Sequence, residues 1–331
     1  MDIDFVLPWV DGNDPAWRAE RARFAALKDG DDSDVRYRDW GTLPYWFRAV
    51  DKFAPWVHRV HFITWGHLPA WLNTADARLN IVRHEDYIPK QYLPTFSSHP
   101  IELNIHRIAG LASHFVYFND DVFLTAPVTP GDFFKDGLPR DTCRFSVAHP
   151  RSADDVFAHI LLNNTGILNR HMNRPMCRKL HSHKWYSPKN GLKSVVRSLS
   201  LGFWPFFTGF AAPHLAVPYE KRTFEDLWTM EPQALDATCR HPFRTMADVS
   251  QLAARSVQLA LGRFEPSPPL GVAFFPNAED GVAPAARAIA QQKYRMVCVN
   301  DEETLANFEA ERQRLIAALQ AILPNKCPFE R

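Results

Sequence analysis

The chain has 331 residues, a formal net charge of +1 and 46% hydrophobic residues. This length is enough for one large domain or two modest ones with a sizeable core, and the composition is that of an ordinary globular protein. The five cysteines include no CxxC pair, so we expect neither a disulfide framework nor a zinc knuckle, and we infer a reducing setting. No recognised nucleic-acid-binding motif is present, and we expect no nucleic-acid partner.

The N-terminal sequence MDIDFVLPWVDG predicts a strand that ends near Pro8. It lacks the basic region and the following apolar region of a signal peptide. No window offers the roughly 20 consecutive apolar residues of a membrane-spanning helix. The nearest is the uncharged segment 198–219, which prolines and glycines interrupt. We expect this segment to be buried and irregular rather than in contact with a membrane.

Predicted strands and helices alternate through the first 130 residues. After the first strand come helices at 16–28 and 43–56, strands at 58–66 and 79–86, a helix at 101–112 and a strand at 114–118. The apolar runs of the strands are continuous, which is typical of a mostly parallel sheet covered on both faces. Because ligands bind beyond the carboxyl ends of such strands, Asp11 and the pair Asp120–Asp121 are expected to converge on one edge.

The rest of the chain divides by charge and by pattern. Residues 156–213 are basic, and no Asp or Glu occurs between Val156 and Tyr219. This segment is either a solvated basic face or a surface for an anionic partner, such as a phosphorylated glycan, a lipid-linked acceptor or a membrane headgroup. Beyond it we predict two helices in 220–262, a short strand with an acidic end in 294–304, and a closing amphipathic helix at 305–323.

The run HFVYFNDDVFL places Asn119, Asp120 and Asp121 directly after an apolar strand. A turn or a helix N-cap is the plainer interpretation, and it needs only one acidic residue. Two adjacent carboxylates also provide the oxygen ligands that Mg²⁺ takes in proteins, where water and substrate phosphates fill its other positions. The sequence therefore predicts a metal site at this strand end.

Two further groups are candidates for the same site. Asp301, in the run VCVNDEE, would bring another carboxylate, although acids in a first helical turn explain it equally well. On the helix predicted at 101–112, Glu102 and His106 are four residues apart and would share a face, either as a surface salt bridge or as a site pair.

A last group lies between residues 214 and 248 and combines His214, His241, Arg244 and Asp248. Arginine grips phosphate in a bidentate manner, but Arg244 and Asp248 are also spaced to pair with each other on a helix. Motifs of other chemistries, namely GxxxxGK[ST], GxSxG, GxGxxG and HExxH, are not present.

Several runs of the sequence resemble the conserved blocks of the Stealth family. DIDFVLPWVDGNDP, RYRDWGTLPYWFRAVDKFAPWVHRVHFITWG and FSSHPIELNIHRIAGLASHFVYFNDDVFL resemble its first two blocks. PHLAVPYEK, FEDLW and CRHPFRTMADVS are similar to the third block, and VCVNDEE is similar to the fourth. The family comprises bacterial capsular polysaccharide phosphotransferases and the catalytic part of the animal N-acetylglucosamine-1-phosphotransferase.

The resemblance implies a Rossmann-like or GT-A-like core that binds a nucleotide sugar, with a UDP-sugar as the first expectation, and Mg²⁺ or Mn²⁺. It implies transfer of a hexose 1-phosphate, such as N-acetylhexosamine 1-phosphate, to a hydroxyl of a glycan or a lipid-linked oligosaccharide. A phosphodiester would form and a nucleoside monophosphate would leave. Residues 1–331 would be one catalytic domain, with a nucleotide-sugar-binding half at 1–130, a basic insertion at 156–213 for the acceptor or a membrane surface, and a helical part at 214–331.

The resemblance also suggests roles for the candidate residues. His106 or His214 would take the acceptor proton, and Arg244, helped by Arg38, would offset charge on the phosphoryl oxygens. The expected metal ligands are Asp120, Asp121 and Asp301. The expected substrate-binding residues are Asp11, Asn13, Asp14, Glu102, Asn104, His241 and Asp248.

Two other functions stay open. A metal-dependent GT-A-type glycosyltransferase would use the same donor but attack the anomeric carbon, and it would release a nucleoside diphosphate. A catalytically silent glycan-binding module would use the tryptophans and the basic surface, although it would not need three acidic loops. We expect a cytoplasmic protein and leave open a peripheral contact with the inner face of the plasma membrane.

Overall fold

The computed structural model describes residues 1–25, 37–301, 305 and 307–331. Its strands are β1 Ile3–Pro8, β2 Arg59–Thr64, β3 Leu79–Arg83, β4 His114–Tyr117, β5 Val122–Leu124, β6 Phe134–Lys135, β7 Leu138–Asp141, β8 Val217–Glu220, β9 Glu265–Pro266, β10 Gly271–Phe274 and β11 Met296–Val299. The main sheet has the order β3–β2–β1–β4–β8, in which β1 to β4 are parallel and β8 is antiparallel to β4. The order 3-2-1-4 is that of the first four strands of a Rossmann fold, so the predicted α/β fold with a mostly parallel sheet is confirmed.

Helices cover both faces of this sheet. They are α1 Pro15–Ala25, α2 Leu43–Phe53, α3 His84–Tyr87, α4 Ser98–Leu103, α5 Pro130–Phe133, α6 Val156–His171, α7 Arg174–Trp185, α8 Leu192–Ser200, α9 Lys221–Met230, α10 Pro232–Cys239, α11 Leu252–Ala260, α12 Ala283–Ala290 and α13 Phe308–Ile322. In the part of the chain that the structure describes, no helix is long and apolar enough to cross a membrane.

Strand β1 supplies side chains to both faces of the sheet. Phe5 and Leu7 join the apolar cluster that contains α2 and α13, whereas Val6 joins the cluster that contains α9 and α11. The split follows from the alternation of side chains along a strand. All three side chains are fully buried, so the sheet lies between two cores.

A second, small sheet begins directly after the acid pair Asp120–Asp121. It has the order β10–β11–β5, with β11 parallel to β10 and antiparallel to β5. In this pairing Cys298 lies opposite Val122, and the Asp121 carbonyl accepts the Val299 amide at 3.0 Å. The C-terminal part of the chain therefore reaches the acid pair through strand β11.

The helix predicted around Glu102 and His106 is shorter than expected. Helix α4 ends before Asn104, whose side-chain Nδ2 donates to the Pro100 carbonyl at 2.8 Å and whose Oδ1 accepts from Arg107 Nε at 2.9 Å. These bonds satisfy the last turn and divert the backbone into a 3₁₀ turn. The prediction that Glu102 and His106 share a helical face is wrong.

Two further expectations are corrected. Residues 220–262 hold three helices rather than two, because Pro232 starts a new helix at its first position immediately after α9 ends. The segment 198–219 is only partly buried, since Phe207 and Phe210 lie in the core but Phe203 is 93% exposed.

Candidate active site

The acid pair lies at the carboxyl end of β4. The Asn119 carbonyl accepts the Val122 amide at 3.1 Å and closes a tight turn around Asp120 and Asp121. This hydrogen bond joins backbone atoms only. The carboxylates of Asp120 and Asp121 can therefore make other contacts. The two acidic side chains therefore stand at the strand edge where ligands of parallel sheets bind.

His214 approaches this pair from the segment that precedes β8. The antiparallel pairing of β8 with β4 brings residues before β8 to the end of β4. His214 Nε2 lies 3.3 Å from Asp121 Oδ2 and 3.1 Å from Asn119 Nδ2. Burial by itself lowers the pKa of this imidazole, but attraction to Asp121 and the hydrogen bond with it prevail, so the pKa of His214 is raised. Such an imidazole is suited to proton exchange at neutral pH.

Asp120 is an exposed residue with acidic neighbours. Desolvation, then repulsion from Asp121 and more weakly from Asp39, raises the pKa of Asp120 to about 7. Both effects disfavour the charged form of the carboxyl group. A pair of this kind is stabilised by any positive charge that binds between the two carboxylates.

Tyr117 links the turn that contains Asp120 and Asp121 to Glu102. Its hydroxyl lies 2.9 Å from Asn119 Oδ1 and 3.0 Å from Glu102 Oε1, and it donates its single proton to one of them at a time. Burial, followed by the charge of Glu102, raises the pKa of Tyr117 well above its usual value. Glu102, an expected substrate-binding residue, thus acts on the turn through Tyr117 and Asn119.

Arg38 and Asp301 form a bidentate ion pair. Arg38 Nε and Nη2 donate to the two carboxylate oxygens at 2.7 and 2.6 Å, and Trp40 Nε1 donates to Asp301 Oδ2 at 3.0 Å. Both oxygens of Asp301 are therefore engaged by protein donors. Its assignment as a metal ligand stays a prediction, while its contact with Arg38, another expected site residue, ties the N-terminal half to the loop after β11.

Asp11, Asn13 and Asp14 form a tight loop after β1. The Asp11 Oδ1 accepts the Asn13 amide at 2.8 Å, and Asp14 Oδ1 caps α1 by accepting the Trp17 amide at 2.8 Å. The Asp11 amide donates to His67 Nε2 at 2.7 Å, so the neutral His67 carries its proton on Nδ1. The carboxylates of this loop therefore shape the backbone, and Asn13 is the exposed member.

Gly12 permits a close approach at the same edge. A Cβ at this position would lie 2.1 Å from the Tyr37 carbonyl oxygen. Only glycine allows the Tyr37 backbone to pass here. The segment that carries Arg38 therefore packs directly against the loop after β1.

Asp248 is fully buried and holds two histidines. Its Oδ1 lies 2.7 Å from His241 Nδ1 and its Oδ2 lies 3.0 Å from His99 Nδ1. Thr245 adds donors from its amide at 3.0 Å and its hydroxyl at 2.8 Å. Residues 241–250 form no helix, so Asp248 and Arg244 do not share a helical face. Asp248 therefore fixes the positions of the His99 and His241 imidazoles.

Arg244 lies in the same segment as Asp248. Its Nη2 donates to Ser98 Oγ at 2.8 Å. Its positive charge opposes protonation of His214 and stabilises the ionised form of Tyr117. The structure therefore brings His214 to the acid pair, and the charge of Arg244 acts on this group.

His106 has different surroundings. Its ring stacks on Phe224 with centroids 6.3 Å apart and lies 6.4 Å from the Trp228 ring. Burial, then the charges of Arg107 and Lys221, lowers the pKa of His106 to about 4. This imidazole is neutral and belongs to the α9 face of the core.

The oxygens of the acid pair fit a hard divalent ion. Asp121 Oδ1 is buried and accepts no hydrogen bond from the described residues, as expected of an oxygen atom that binds a ligand. Asp121, His214 and Cys298 each offer an atom, and these atoms lie within 4.8 Å of one another. Burial, then the charge of Asp121, raises the pKa of the Cys298 thiol, and a neutral thiol is a poor ligand. The carboxylates are therefore the better candidates for Mg²⁺ or Mn²⁺.

Sequence reasoning missed four contributors: Tyr117, Ser98, Trp40 and Cys298. Tyr117 looks like an ordinary strand residue, and Cys298 enters only through the antiparallel pairing of β11 with β5. For Ser98 there was no signal of its own, because the serine of the run FSSHP that caps α4 is Ser97.

Comparisons with known proteins found family models and relatives that match this chain. The family models described as Stealth protein CR1, conserved region 1, and Stealth protein CR2, conserved region 2, match residues 1–28 and 36–141. The chain is 37% identical over 335 residues to the receptor polysaccharide phosphotransferase WefC of Streptococcus gordonii, covering 99% of this chain and 98% of that one. It is 38% identical to the capsular polysaccharide phosphotransferase WcwK of Streptococcus pneumoniae, with 99% of each chain covered.

One more relative and one solved structure are similar to the chain. The exopolysaccharide phosphotransferase cps2G of Lactiplantibacillus plantarum is 36% identical, covering 100% of this chain and 97% of its own. Among solved structures, the galactosyltransferase LgtC aligns with 98% of both chains at 10% identity and a TM-score of 0.39.

The fold and these relatives define the chain as a transferase with an α/β catalytic architecture. More particularly, the chain belongs to the Stealth family. The expected family and the expected enzyme class are both confirmed.

Proposed function

We propose that this enzyme transfers a hexose 1-phosphate from a nucleotide sugar to a glycan hydroxyl. The observation that carries the proposal is the contact of His214 with Asp121, next to Asp120, at the carboxyl edge of the parallel sheet. The names of the relatives, which specify receptor, capsular and exopolysaccharide phosphotransferases, support a polysaccharide product.

In this reaction the acceptor oxygen attacks the phosphorus that carries the sugar. A new O–P bond forms, and the bond from that phosphorus to the bridging oxygen breaks, so a nucleoside monophosphate leaves. Catalysis of such a step consists of positioning and of offsetting charge on the phosphoryl oxygens. Arg244 would contribute to the latter, because its positive charge acts at His214 and a guanidinium binds phosphate oxygens in a bidentate manner.

His214 is the better candidate for the acceptor proton. Asp121 Oδ2 lies 3.3 Å from its Nε2, so the imidazole is oriented and its cation is stabilised by the same carboxylate. This raises its affinity for a proton, as a general base near pH 7 requires. His106 offers no such setting, since it is stacked in the core with a lowered pKa.

Asp120 and Asp121 would hold the divalent ion, which supplies positive charge for the diphosphate oxygens. The loop after β1, with Asp11 and Asn13, lies at the end of a neighbouring strand and is suited to the donor nucleotide. The Arg38–Asp301 pair is linked to the acid pair along the chain, because Asp301 follows β11, whose Val299 amide donates to the Asp121 carbonyl at 3.0 Å.

The test uses purified protein, Mg²⁺, a panel of nucleotide sugars and an oligosaccharide acceptor. Released nucleotide is separated by chromatography, and ³¹P NMR of the product detects a phosphodiester. We expect acceptor-dependent release of a nucleoside monophosphate, reduced roughly 10²- to 10³-fold in Asp121→Asn. Asp154→Asn, which changes a fully exposed carboxylate, is the matched control.

Each other result has a definite meaning. A nucleoside diphosphate with no phosphodiester would make the enzyme a glycosyltransferase and would contradict the role of Arg244. Donor binding without turnover and without dependence on metal would instead support a glycan-binding module.

A further inference from the structure

The solvent-facing side of α8 is apolar. Leu192, Val196 and Leu199 recur at helical spacing and are 79%, 58% and 52% exposed. The polar Ser198 is the residue that faces inward, where its Oγ accepts the Phe145 amide at 3.0 Å. This orientation is the reverse of an ordinary surface helix, whose apolar stripe faces the core.

Three aromatic residues extend the stripe beyond the helix. Phe203, Trp204 and Phe206 are 93%, 59% and 65% exposed. We call these residues, together with Leu192, Lys193, Val196, Arg197 and Leu199, the α8 patch. Single exposed apolar residues are common on proteins, but a contiguous patch of this kind marks an interaction site.

The aromatic loop is held in place. Arg174 donates to the carbonyls of Gly202, Leu201 and Trp204, and Arg178 Nη1 donates to the Gly202 carbonyl at 3.0 Å. Arg174 is itself buried at 3% exposure, so α7 anchors the loop from inside. The exposed rings therefore stand on a fixed scaffold.

The charge around the patch is positive. Lys193 and Arg197 are four residues apart on the exposed side of α8, and among the described residues neither forms an ion pair. No acidic residue occurs anywhere between Val156 and Tyr219. A partner that covers this patch must therefore be apolar and also carry negative charge.

We propose that the α8 patch docks the enzyme on an anionic phospholipid surface. Phe, Trp and Leu side chains enter the headgroup and acyl boundary, and Lys193 and Arg197 contact lipid phosphates, as in amphipathic helices that lie in a membrane interface. A bilayer that contains anionic phospholipids has both an apolar interior and a negatively charged surface. The proposal is independent of the transfer reaction, because docking is measured without substrates.

The first test is co-sedimentation with vesicles of phosphatidylcholine and phosphatidylglycerol, compared with phosphatidylcholine alone. We expect the protein to sediment with the anionic vesicles and much less with the neutral ones. Changing both Lys193 and Arg197 to Ser should weaken partitioning roughly 30-fold, at about fivefold for each cation. The double change Phe203→Ser and Trp204→Ser should weaken it by at least about tenfold.

The matched control is Phe275→Ser, which removes a ring that is 54% exposed outside the patch and should leave partitioning unchanged. Circular dichroism and the melting temperature establish that each variant is folded. Turnover with a soluble acceptor should be the same for the patch variants as for the parent.

Three results would overturn the proposal. One is the lack of binding to anionic vesicles at low salt, and another is binding that the patch variants do not reduce. The third is a concentration-dependent dimer, seen by sedimentation velocity and lost in the Phe203 and Trp204 variant without any vesicle binding. A second copy of the chain would then cover the patch.

Discussion

At the scale of single residues, His214 and His106 differ in what surrounds their imidazoles. His214 contacts a carboxylate at 3.3 Å, whereas His106 stacks on Phe224. Replacing His214 with Gln should lower turnover roughly 10²- to 10⁴-fold, because the acceptor proton loses its base. The measurement is the rate of nucleotide release at saturating donor.

His106→Gln is the comparison for this prediction. Its ring packs in the core, so the change should lower stability and leave the turnover of folded protein nearly unchanged. If folded His106→Gln lost as much turnover as His214→Gln, the proton would have to pass through His106. The exposed His183→Gln should change neither property.

Gly12 gives a second prediction at this scale. Alanine would place a Cβ 2.1 Å from the Tyr37 carbonyl oxygen. Relief of this clash requires one of the two backbone segments to move, which costs more than a change of side-chain rotamer. We expect Gly12→Ala to reduce the free energy of unfolding by roughly 1–3 kcal/mol and to weaken donor binding by moving the Arg38 segment. Urea unfolding and nucleotide-sugar titration measure the two effects.

Gly131→Ala is the matched control, because a Cβ there meets only Thr129 Oγ1 at 3.7 Å, an ordinary contact. Its stability should stay within about 0.5 kcal/mol of the parent. Equal destabilisation by both changes would mean that the crowding at Gly12 is not what costs stability.

At the scale of elements, one buried carboxylate holds three strands together. Asp4 on β1 accepts from His61 Nε2 at 2.9 Å on β2, from His58 Nδ1 at 2.7 Å, and from the Ala112 amide at 2.7 Å before β4. Burial alone would raise its pKa, but these hydrogen bonds together prevail and lower the pKa of Asp4.

A lowered pKa means that Asp4 contributes stability fully above its unfolded value, near 3.8, and loses it as the pH falls through the folded pKa. Asp4→Asn should therefore cost roughly 1–3 kcal/mol at pH 7, and the gap to the parent should shrink on acidification below about pH 4. Chemical denaturation at pH 7, 4 and 3 tests this. A gap that is constant with pH would show that the Asp4 charge does not contribute.

The elements also show what sequence patterns can predict. Apolar runs predict strands β1, β2 and β4, and helical spacing of apolar residues predicts helices α2 and α13. These patterns are reliable because apolar side chains must be buried in any fold. The end of α4 at Asn104 does not follow from such patterns, since it depends on side-chain bonds to Pro100 and Arg107. A helical repeat of apolar residues does not show where one polar residue stops the helix.

The site was predicted in part for the same reason. The end of β4 and the loop after β1 meet because parallel strands share a carboxyl edge, and that is a property of the fold class. The Arg38–Asp301 pair joins residues 263 positions apart, and the place of Cys298 depends on an antiparallel pairing. Neither contact has a local signal in the sequence.

At the scale of the whole molecule, the last residues of the chain complete the core of the first half. Phe329 is fully buried, its ring lies 5.3 Å from the Phe47 ring, and its carbonyl accepts the Asn73 amide at 2.8 Å. Glu330 adds two hydrogen bonds at 2.8 Å from Arg48 on α2. Folding of the N-terminal sheet is therefore coupled to the C-terminus.

Phe329→Ala should accordingly lower the free energy of unfolding by about 3–5 kcal/mol, through lost burial and a cavity against α2. Phe275→Ala, at an exposed position, should cost no more than about 0.5 kcal/mol. The measurement is urea unfolding followed by tryptophan fluorescence and by far-UV circular dichroism. Because the two halves share one core here, both signals should shift together in Phe329→Ala. Separate transitions, with only one of them moved, would mean that the halves unfold independently and that the C-terminal residues stabilise the first alone.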